Sequence, residues 1–159
     1  MSIIHPNLLD NVARVTLWDH GLVPRWRCPA CDREFSRANQ SHVCVPGNTV
    51  DESFAGRPPV QREIYEAIIG YLRTLGPVYV DAVRVGVFLS HVDKVAEVRP
   101  KVRSVGLWLM MPRELDDPRI GRRDRVSTGR VAHYLTLTSV SDVDNQLCDW
   151  LGEAYDAAG

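Results

Sequence analysis

The chain has 159 residues, a formal net charge of −1 and a sequence pI of about 6.5. This balance excludes a long-range electrostatic pull on nucleic acid or an anionic membrane, so any such partner has to meet a local patch. With 45% hydrophobic and 25% charged residues, the composition is that of a globular protein and excludes a disordered or fibrous chain.

Residues 1–26 are the least regular part of the sequence. The stretch NLLDNVARVTLWDHGL allows one short helix, and Trp18 and Trp26 are expected to pack on the segment that follows. The start lacks the basic head and long apolar middle of a signal peptide, and no apolar run approaches the roughly 18 residues of a membrane helix. We therefore expect a cytoplasmic protein with no membrane partner.

Residues 27–44, RCPACDREFSRANQSHVC, hold three of the four cysteines. Cys28 and Cys31 form a CxxC knuckle, and His42 and Cys44 follow after ten intervening residues. In a reducing compartment, clustered cysteines are better explained by a metal than by disulfides. Three thiolates and one imidazole are a standard ligand set for structural zinc, which takes a closed tetrahedron of such donors. The spacing predicts a Cys3His zinc finger on these four residues.

The ligand set also indicates what the metal does. When the protein fills all four positions, no position stays open for a reactive water, so the zinc is expected to be structural. Phe35 is predicted to act as a miniature core, and Ser36 to cap a helical turn that runs toward His42. Redox chemistry by the CxxC alone and a chance grouping of thiols are the alternatives; the redox motif usually follows a buried strand, which RWRC does not provide.

The remaining sequence predicts an α+β domain over residues 59–159, behind a Gly- and Pro-rich linker at 45–58 that Phe54 anchors. Apolar residues at steps of three and four predict a helix that ends at Gly76. Ser141 is predicted to cap a closing helix. Alternating β-branched residues predict a four-stranded antiparallel sheet, with an Arg-rich loop at 112–129 before the last strand. The predicted strands are VYVDAVRVGVFLSHV at 78–92, then 94–99, 101–111 and 130–140.

Three stretches resemble a known family. They are FAGRPPVQREIYEAIIGYLRTLG, VFLSHVDKVAEVRP and SDVDNQLCDWLGEAYDAA, and they follow the finger pattern WRCPACDREFSRANQSHVC. Together they are similar to the domain of unknown function 5655, over roughly residues 50–157. In that family the finger is an N-terminal addition found in some relatives. The resemblance implies a fold relative with no established activity, and fusions to nuclease-like domains imply a link to nucleic acid.

Basic residues concentrate between Arg99 and Arg130, where nine Lys or Arg face four acids, a local balance of +5. Arg99, Lys101 and Arg103 alternate, so on one extended strand they would share a side. We predict that this loop and strand contact nucleic acid or another anionic partner, although a solvated hairpin loop explains the same charges. The candidate contacts are Arg99, Lys101, Arg103, Arg119, Arg122, Arg123, Arg125 and Arg130.

Enzyme signatures such as a nucleophile elbow or a phosphate loop are absent from the sequence. His133 lies on an apolar strand face, and His91 lies between two predicted strands; each is a core or turn histidine, or lines a small pocket. The leading interpretation is a non-catalytic zinc-binding protein that contacts nucleic acid. A protein-interaction or dimerisation module is the alternative, and a ligand or enzyme site around His133 is a third.

Overall fold

The computed structural model describes residues 24–159; segment 1–23, with its predicted short helix and Trp18, lies outside the described residues. Residues 24–159 form three α-helices, one 3₁₀ turn, a two-stranded sheet and a six-stranded sheet. The helices are α1 (Val50–Phe54), α2 (Pro59–Leu75) and α3 (Asn145–Ala157). The strands are β1 (Trp26–Arg27), β2 (Glu34–Phe35), β3 (Tyr79–Val83), β4 (Gly86–Ser90), β5 (Lys94–Pro100), β6 (Val105–Met111), β7 (Arg122–Ser127) and β8 (Arg130–Leu137).

The predicted long helix is confirmed as α2. Pro59 occupies its first position, where a missing N–H costs nothing, and Ile64, Ile68 and Leu72 are fully buried along one side. The helix ends at Gly76, where a Cβ atom would lie 2.6 Å from the Tyr155 hydroxyl oxygen. Glycine is required there by this close approach.

The closing helix exists, but Ser141 does not cap it. Ser139 caps the 3₁₀ turn Val140–Asp142, and the Asp144 carboxylate accepts a hydrogen bond from the Leu147 N–H at 2.9 Å to begin α3. A carboxylate at this position satisfies an N–H that the helix itself cannot pair.

The main sheet has six strands in the order β3-β4-β5-β6-β8-β7, all antiparallel, so the prediction of four strands is wrong. The stretch 78–92 is a hairpin that turns at Arg84 and Val85, and the Val85 side chain points to solvent with 58% exposure. The predicted loop 112–129 contains β7, which pairs with β8. In both cases a strand was missed: the stretch 78–92 was predicted as one strand and contains two, and the stretch 112–129 was predicted as a loop and contains one.

The predicted alignment of Arg99, Lys101 and Arg103 on one strand is also wrong. Strand β5 ends at Pro100, and the Lys101 N–H donates to the Ser104 carbonyl at 2.8 Å in a turn. Arg99 therefore lies on the strand, whereas Lys101 and Arg103 lie in the turn that follows it. The pairing of β6 is regular from Val105 onward.

The two faces of the main sheet differ. One face packs against α2 and α3 and carries the core, including the fully buried Leu107, Leu109 and Val98. Side chains on the other face remain partly exposed, among them Phe88 and Trp108. We call this second face the open face.

The stretch 45–58, predicted as a linker, contains α1. Thr49 and Glu52 form a capping box at its start, and Phe54 is buried 5.3 Å from the ring of Tyr65. The Asn48 N–H donates to the Ala82 carbonyl on β3 at 2.7 Å, so this segment lies against the sheet edge. In the described part of the chain, no helix combines the length and apolar character needed to span a membrane.

Candidate metal centre and nucleic-acid interface

The knuckle around Cys28 is a tight turn at the end of β1. Cys28 donates its N–H to the Arg33 carbonyl at 2.9 Å and accepts from the Asp32 N–H at 2.8 Å. Asp32 adopts a left-handed conformation with φ of 61°, which Asp tolerates better than most residues. Its carboxylate pairs with Arg27 at 3.0 Å. The turn aims both CxxC sulfurs toward one point.

The four predicted ligands converge. The donor atoms of Cys28, Cys31, His42 and Cys44 all lie within 4.8 Å of one another. The Cys28 and Cys44 sulfurs are 3.8 Å apart, and the Cys31 sulfur is 3.4 Å from His42 Nε2. Zinc bonds of about 2.3 Å to sulfur and about 2.0 Å to nitrogen give tetrahedron edges of about 3.8 Å and about 3.5 Å. These four residues are close enough to hold a metal ion, and the two separations above are near those edge lengths.

His42 is oriented for ligation. Its Nδ1 lies 2.7 Å from the Gln40 carbonyl, so Nδ1–H donates there and Nε2 keeps its lone pair for a metal. The Phe35 ring packs 4.1 Å from the imidazole and 6.0 Å from Trp26, which confirms Phe35 as the miniature core. The predicted helical turn after Ser36 is wrong: bends and a turn connect Phe35 to Gln40.

The cysteine thiols are electrostatically unequal. The backbone N–H of Ala30 and further hydrogen bonds lower the pKa of Cys28 to about 6. The hydrogen bond with Cys28 raises the pKa of Cys44 to about 11. One thiolate is thus stabilised before a cation arrives, and binding a cation at all three sulfurs releases protons.

The finger docks on the first edge of the sheet. The buried Arg33 guanidinium donates from Nη2 to the Asp81 carboxylate at 2.8 Å and from Nε at 3.2 Å. Such a two-point arginine–carboxylate pair fixes orientation as well as distance. Arg25 lies over the Tyr79 ring at 4.0 Å and donates to the His91 carbonyl. A cleft of about 670 Å³ remains between the finger and β3–β5, lined by side chains of both signs.

Register aligns one side chain from each strand in a row across the open face. Strand by strand the row is Asp81, Phe88, Glu97, Trp108, Tyr134 and Arg122. The Trp108 and Tyr134 rings are neighbours at 5.1 Å between centroids. The row thus combines three aromatic rings with charged groups, and its first member is tied to the finger.

Each aromatic ring in the row carries a cation. Lys94 Nζ lies 4.0 Å from the Phe88 centroid, Lys101 Nζ 4.8 Å from that of Tyr134, and the Arg122 guanidinium 5.6 Å from that of Trp108. These distances are within the range of cation–π attraction.

The cations at this face affect the pKa of the Tyr134 phenol. Burial raises the pKa of its phenol, but the hydrogen bonds with Lys101 and Thr136 and the charges of Lys101 and Arg99 outweigh burial and lower the pKa overall. The open face near Tyr134 is therefore locally positive, although the chain as a whole is not.

Acids also lie on the open face. Glu97 is buried to 4% exposure and pairs with Arg99 and with Lys94, the latter at 3.6 Å. Asp124 pairs with Arg122 at 2.8 Å. The exposed Arg122–Asp124 pair is worth little, whereas the buried Glu97 needs its cationic partners.

The predicted basic contacts fall into two groups. Arg99, Lys101 and Arg122 lie on the open face, and Arg130 reaches the Lys94 carbonyl at 2.9 Å near its edge. The others lie elsewhere, in the β5–β6 turn, against α3 or on the helix-covered side: Arg103, Arg119, Arg123 and Arg125.

Two of the arginines that were predicted to contact nucleic acid instead bind other parts of the protein itself. Arg123 donates from Nε to the Leu115 carbonyl at 2.8 Å and holds the loop before β7. Arg119 packs 5.0 Å from the Trp150 ring and donates to Gln146 at 2.6 Å.

His133 is a core residue. It is fully buried, its Nε2 accepts from the Leu115 N–H at 2.9 Å, and its Nδ1 lies 3.2 Å from the Val131 carbonyl. Both ring nitrogens are therefore committed to the backbone, and neither is left for a substrate. His91 lies apart from it, stacked on Tyr155 at 4.3 Å. The structure does not bring the two histidines into one pocket.

The buried imidazole predicts a pH dependence of stability. Burial lowers the pKa of His133, so the unfolded chain takes up the proton first as the pH falls below the ordinary value of about 6.5. Its contribution is complete above that value and declines below it. His133→Leu should lower the free energy of unfolding by about 1–3 kcal/mol at pH 7.5, because the Leu115 N–H loses its acceptor.

Urea unfolding of both proteins from pH 7.5 to pH 5 checks this. The variant should lose less stability on acidification than the parent chain, and the metal site is common to both. Parallel curves would contradict the role of His133.

Several functional candidates were not found from the sequence. Phe88 and Tyr134 each look like ordinary strand residues, and Lys94 precedes the segment where basic residues concentrate. Trp108 was a candidate only for a protein contact. Only the register between strands brings them together. In the structure, the three aromatic residues are marked as a candidate surface by their partial exposure, since the residues that alternate with them on the strands are buried.

Comparison with known proteins adds one finding. The family described as Domain of unknown function (DUF5655) matches residues 50–158, which is most of the chain and excludes the finger. No curated protein and no solved structure matches the chain.

Proposed function

The chain belongs to the DUF5655 family, and we propose that it is a non-catalytic nucleic-acid-binding protein whose Cys3His finger holds a structural zinc ion. The family carries no assigned activity, so the proposal is drawn from the site. One observation carries it: cations from β5, the β5–β6 turn and β7 converge on one partly exposed sheet face.

Zinc is the metal that the donors favour. Three sulfurs and one imidazole nitrogen within 4.8 Å of one another are soft to borderline donors, which suit zinc better than magnesium or calcium. Cys28, Cys31, His42 and Cys44 would fill all four positions. Bound zinc would supply folding energy to a segment whose own core is one phenylalanine and its neighbours.

A phosphate backbone suits the open face because two of its cations, Arg122 and Lys101, are long, exposed and only weakly held. The side chains of Arg122 and Asp124 are 66% and 43% exposed. Lys101 contacts the Tyr134 hydroxyl instead of an acid. Phosphates can therefore replace weak internal partners at little cost.

Two arginines of β7 give a matched test. Arg122 lies on the open face and Arg125 on the opposite side of the same strand, yet both side chains are 66% exposed and both pair with one acid. Arg122→Ala should weaken binding to a fluorescent oligonucleotide and reduce the slope of log K against log salt by about 0.7–0.9.

Arg125→Ala is the control and should change neither quantity appreciably. Equal losses in the two variants would mean that net charge alone drives binding. Binding that does not depend on salt, or no binding at micromolar protein, would contradict the proposed function.

A protein-interaction or dimerisation module is the second candidate, because partly exposed Trp108 lies on the same face. Sedimentation equilibrium separates the two. Self-association that Trp108→Ala abolishes would favour the interaction module, whereas a monomer that binds oligonucleotide favours the proposed function.

A further inference from the structure

We infer that the open face binds single-stranded nucleic acid by stacking bases on Trp108 and Tyr134, with Phe88 continuing the path toward the finger. This inference rests on the proposed function and specifies its ligand. It concerns base contacts, which the basic residues alone do not imply.

The rings are placed as a platform. Trp108 and Tyr134 occupy directly paired positions on β6 and β8, and Phe88 lies two strands away in the same row. All three are partly exposed, while the residues that alternate with them, such as Leu107 and Leu109, are fully buried on the other face. The rings are therefore anchored by the sheet and still present aromatic surface. Stacking on such rings is tolerant of base identity because every base has a π face.

The cations are arranged to hold phosphates beside stacked bases. Arg122 and Lys101 each lie over a ring at the end of a long, flexible stem. A base that stacks on the ring displaces the cation sideways, where it meets the adjacent phosphate. The ring and the cation thus contact different parts of one nucleotide.

The exposed rings argue for unpaired bases over a duplex. Trp108 and Tyr134 can stack only on a base whose face is free, and in a duplex the base faces are covered by the neighbouring base pairs. Glu97 lies in the row between Phe88 and Trp108, but it is only 4% exposed and is paired with Arg99 and Lys94, so it adds no uncompensated negative charge to the face. The centre of the face is therefore better matched to a single strand.

The path continues into the cleft at the finger. Phe88 and Lys94 line both the open face and the cleft of about 670 Å³, whose far wall carries Arg25, Arg27 and Arg33. Arg33 is fixed to Asp81, so the finger forms one side of a groove with the β3 edge. A flexible single strand can pass from the sheet face into this cleft at little cost, whereas a stiff duplex resists bending.

Three probes of equal length test the inference: a single-stranded oligothymidylate, an abasic single strand with the same phosphates, and a duplex. Fluorescence anisotropy at one low salt concentration should rank the oligothymidylate tightest. Loss of the bases should weaken binding by about fivefold to 150-fold per stacked position, which corresponds to about 1–3 kcal/mol. Equal affinity for the intact and abasic strands, or tighter binding of the duplex, would overturn the inference and leave the proposed function standing. No binding to any probe would overturn both.

Side-chain variants locate the stacking. Trp108→Ala and Tyr134→Ala should each weaken oligothymidylate binding by about fivefold to 150-fold, the loss expected for one stacked base. Both variants should leave the affinity for the abasic strand nearly unchanged. Trp108→Phe keeps a stacking ring and should restore most of the affinity. Tyr71→Ala removes a partly exposed aromatic ring from α2, on the other side of the sheet, and serves as the matched control.

Urea unfolding shows which variants remain folded under the binding conditions. A folded Trp108→Ala with unchanged oligothymidylate affinity would overturn the inference. If that variant does not fold, Trp108→Leu provides the same comparison with an apolar side chain of intermediate size.

Discussion

Cys31→Ser should release the metal and unfold the finger, residues 27–44, while the sheet domain stays folded. The expected loss is large, since structural zinc contributes on the order of 10 kcal/mol to the folding of such segments at neutral pH. The finger has its own small cluster of Cys28, Cys31 and Phe35, separate from the main core, so little else can hold it. Zinc per chain should fall from about one to near zero. Backbone amide resonances of the finger should collapse while those of β4 to β6 persist.

Cys148→Ser is the matched control. This fourth cysteine lies on α3 outside the ligand cluster, and burial raises the pKa of its thiol, so it is expected to be an unreactive side chain. The control should keep a full complement of zinc. A finger that remains ordered in Cys31→Ser, or after zinc is removed by a chelator, would contradict a structural role for the metal.

Leu107→Ala should produce the second large effect, a loss of about 2–5 kcal/mol in the free energy of unfolding. Leu107 is fully buried at the centre of β6, between β5 and β8, where the sheet backbone prevents the cavity from closing. Urea unfolding monitored by circular dichroism measures the change.

Val126→Ala on β7 is the control for this variant. Its side chain is 57% exposed, so the loss should stay within about 0.5 kcal/mol. Zinc content should be unchanged in both variants because the finger cluster does not include β6 or β7. Loss of zinc in Leu107→Ala would show that the finger depends on the sheet core more than the contacts indicate.

The Cys3His cluster and the two long helices were predictable because their signals are local. A CxxC and an HxC pair need only a short loop to meet, and the stripe of Ile64, Ile68 and Leu72 needs only the helical period. The family resemblance was confirmed over residues 50–158.

The strand count was not predictable from alternation alone. Across residues 78–92 the period of two continues through the turn, so Val85 matches the pattern of a buried residue although it points to solvent. Strands are commonly five or six residues long, so the length of the predicted strand at 78–92 was the one indication that it contains a turn. Strand β7, RRDRVS, has no buried face because it is an edge strand, so it carries no apolar alternation at all. Gly129, with φ of 75°, marks the turn that follows it.

The open face could not be predicted from the sequence for a different reason. Its members come from strands far apart in the chain, and Trp108 meets Tyr134 only through the pairing of β6 with β8. Local charge counting instead grouped Arg122 with Arg123, which point to opposite faces. Register is set by tertiary packing, and no short pattern in the sequence encodes it.

Chemical-shift mapping with a single-stranded oligonucleotide tests the central claim most directly. On titration of the zinc-loaded protein with oligothymidylate, the Trp108 indole N–H and the amides of Phe88 and Tyr134 should shift and saturate together. Amides of α2 and α3, and the Trp150 indole, should stay in place. Shifts confined to the helices, or a spectrum unchanged at excess oligonucleotide, would contradict nucleic-acid binding by the open face.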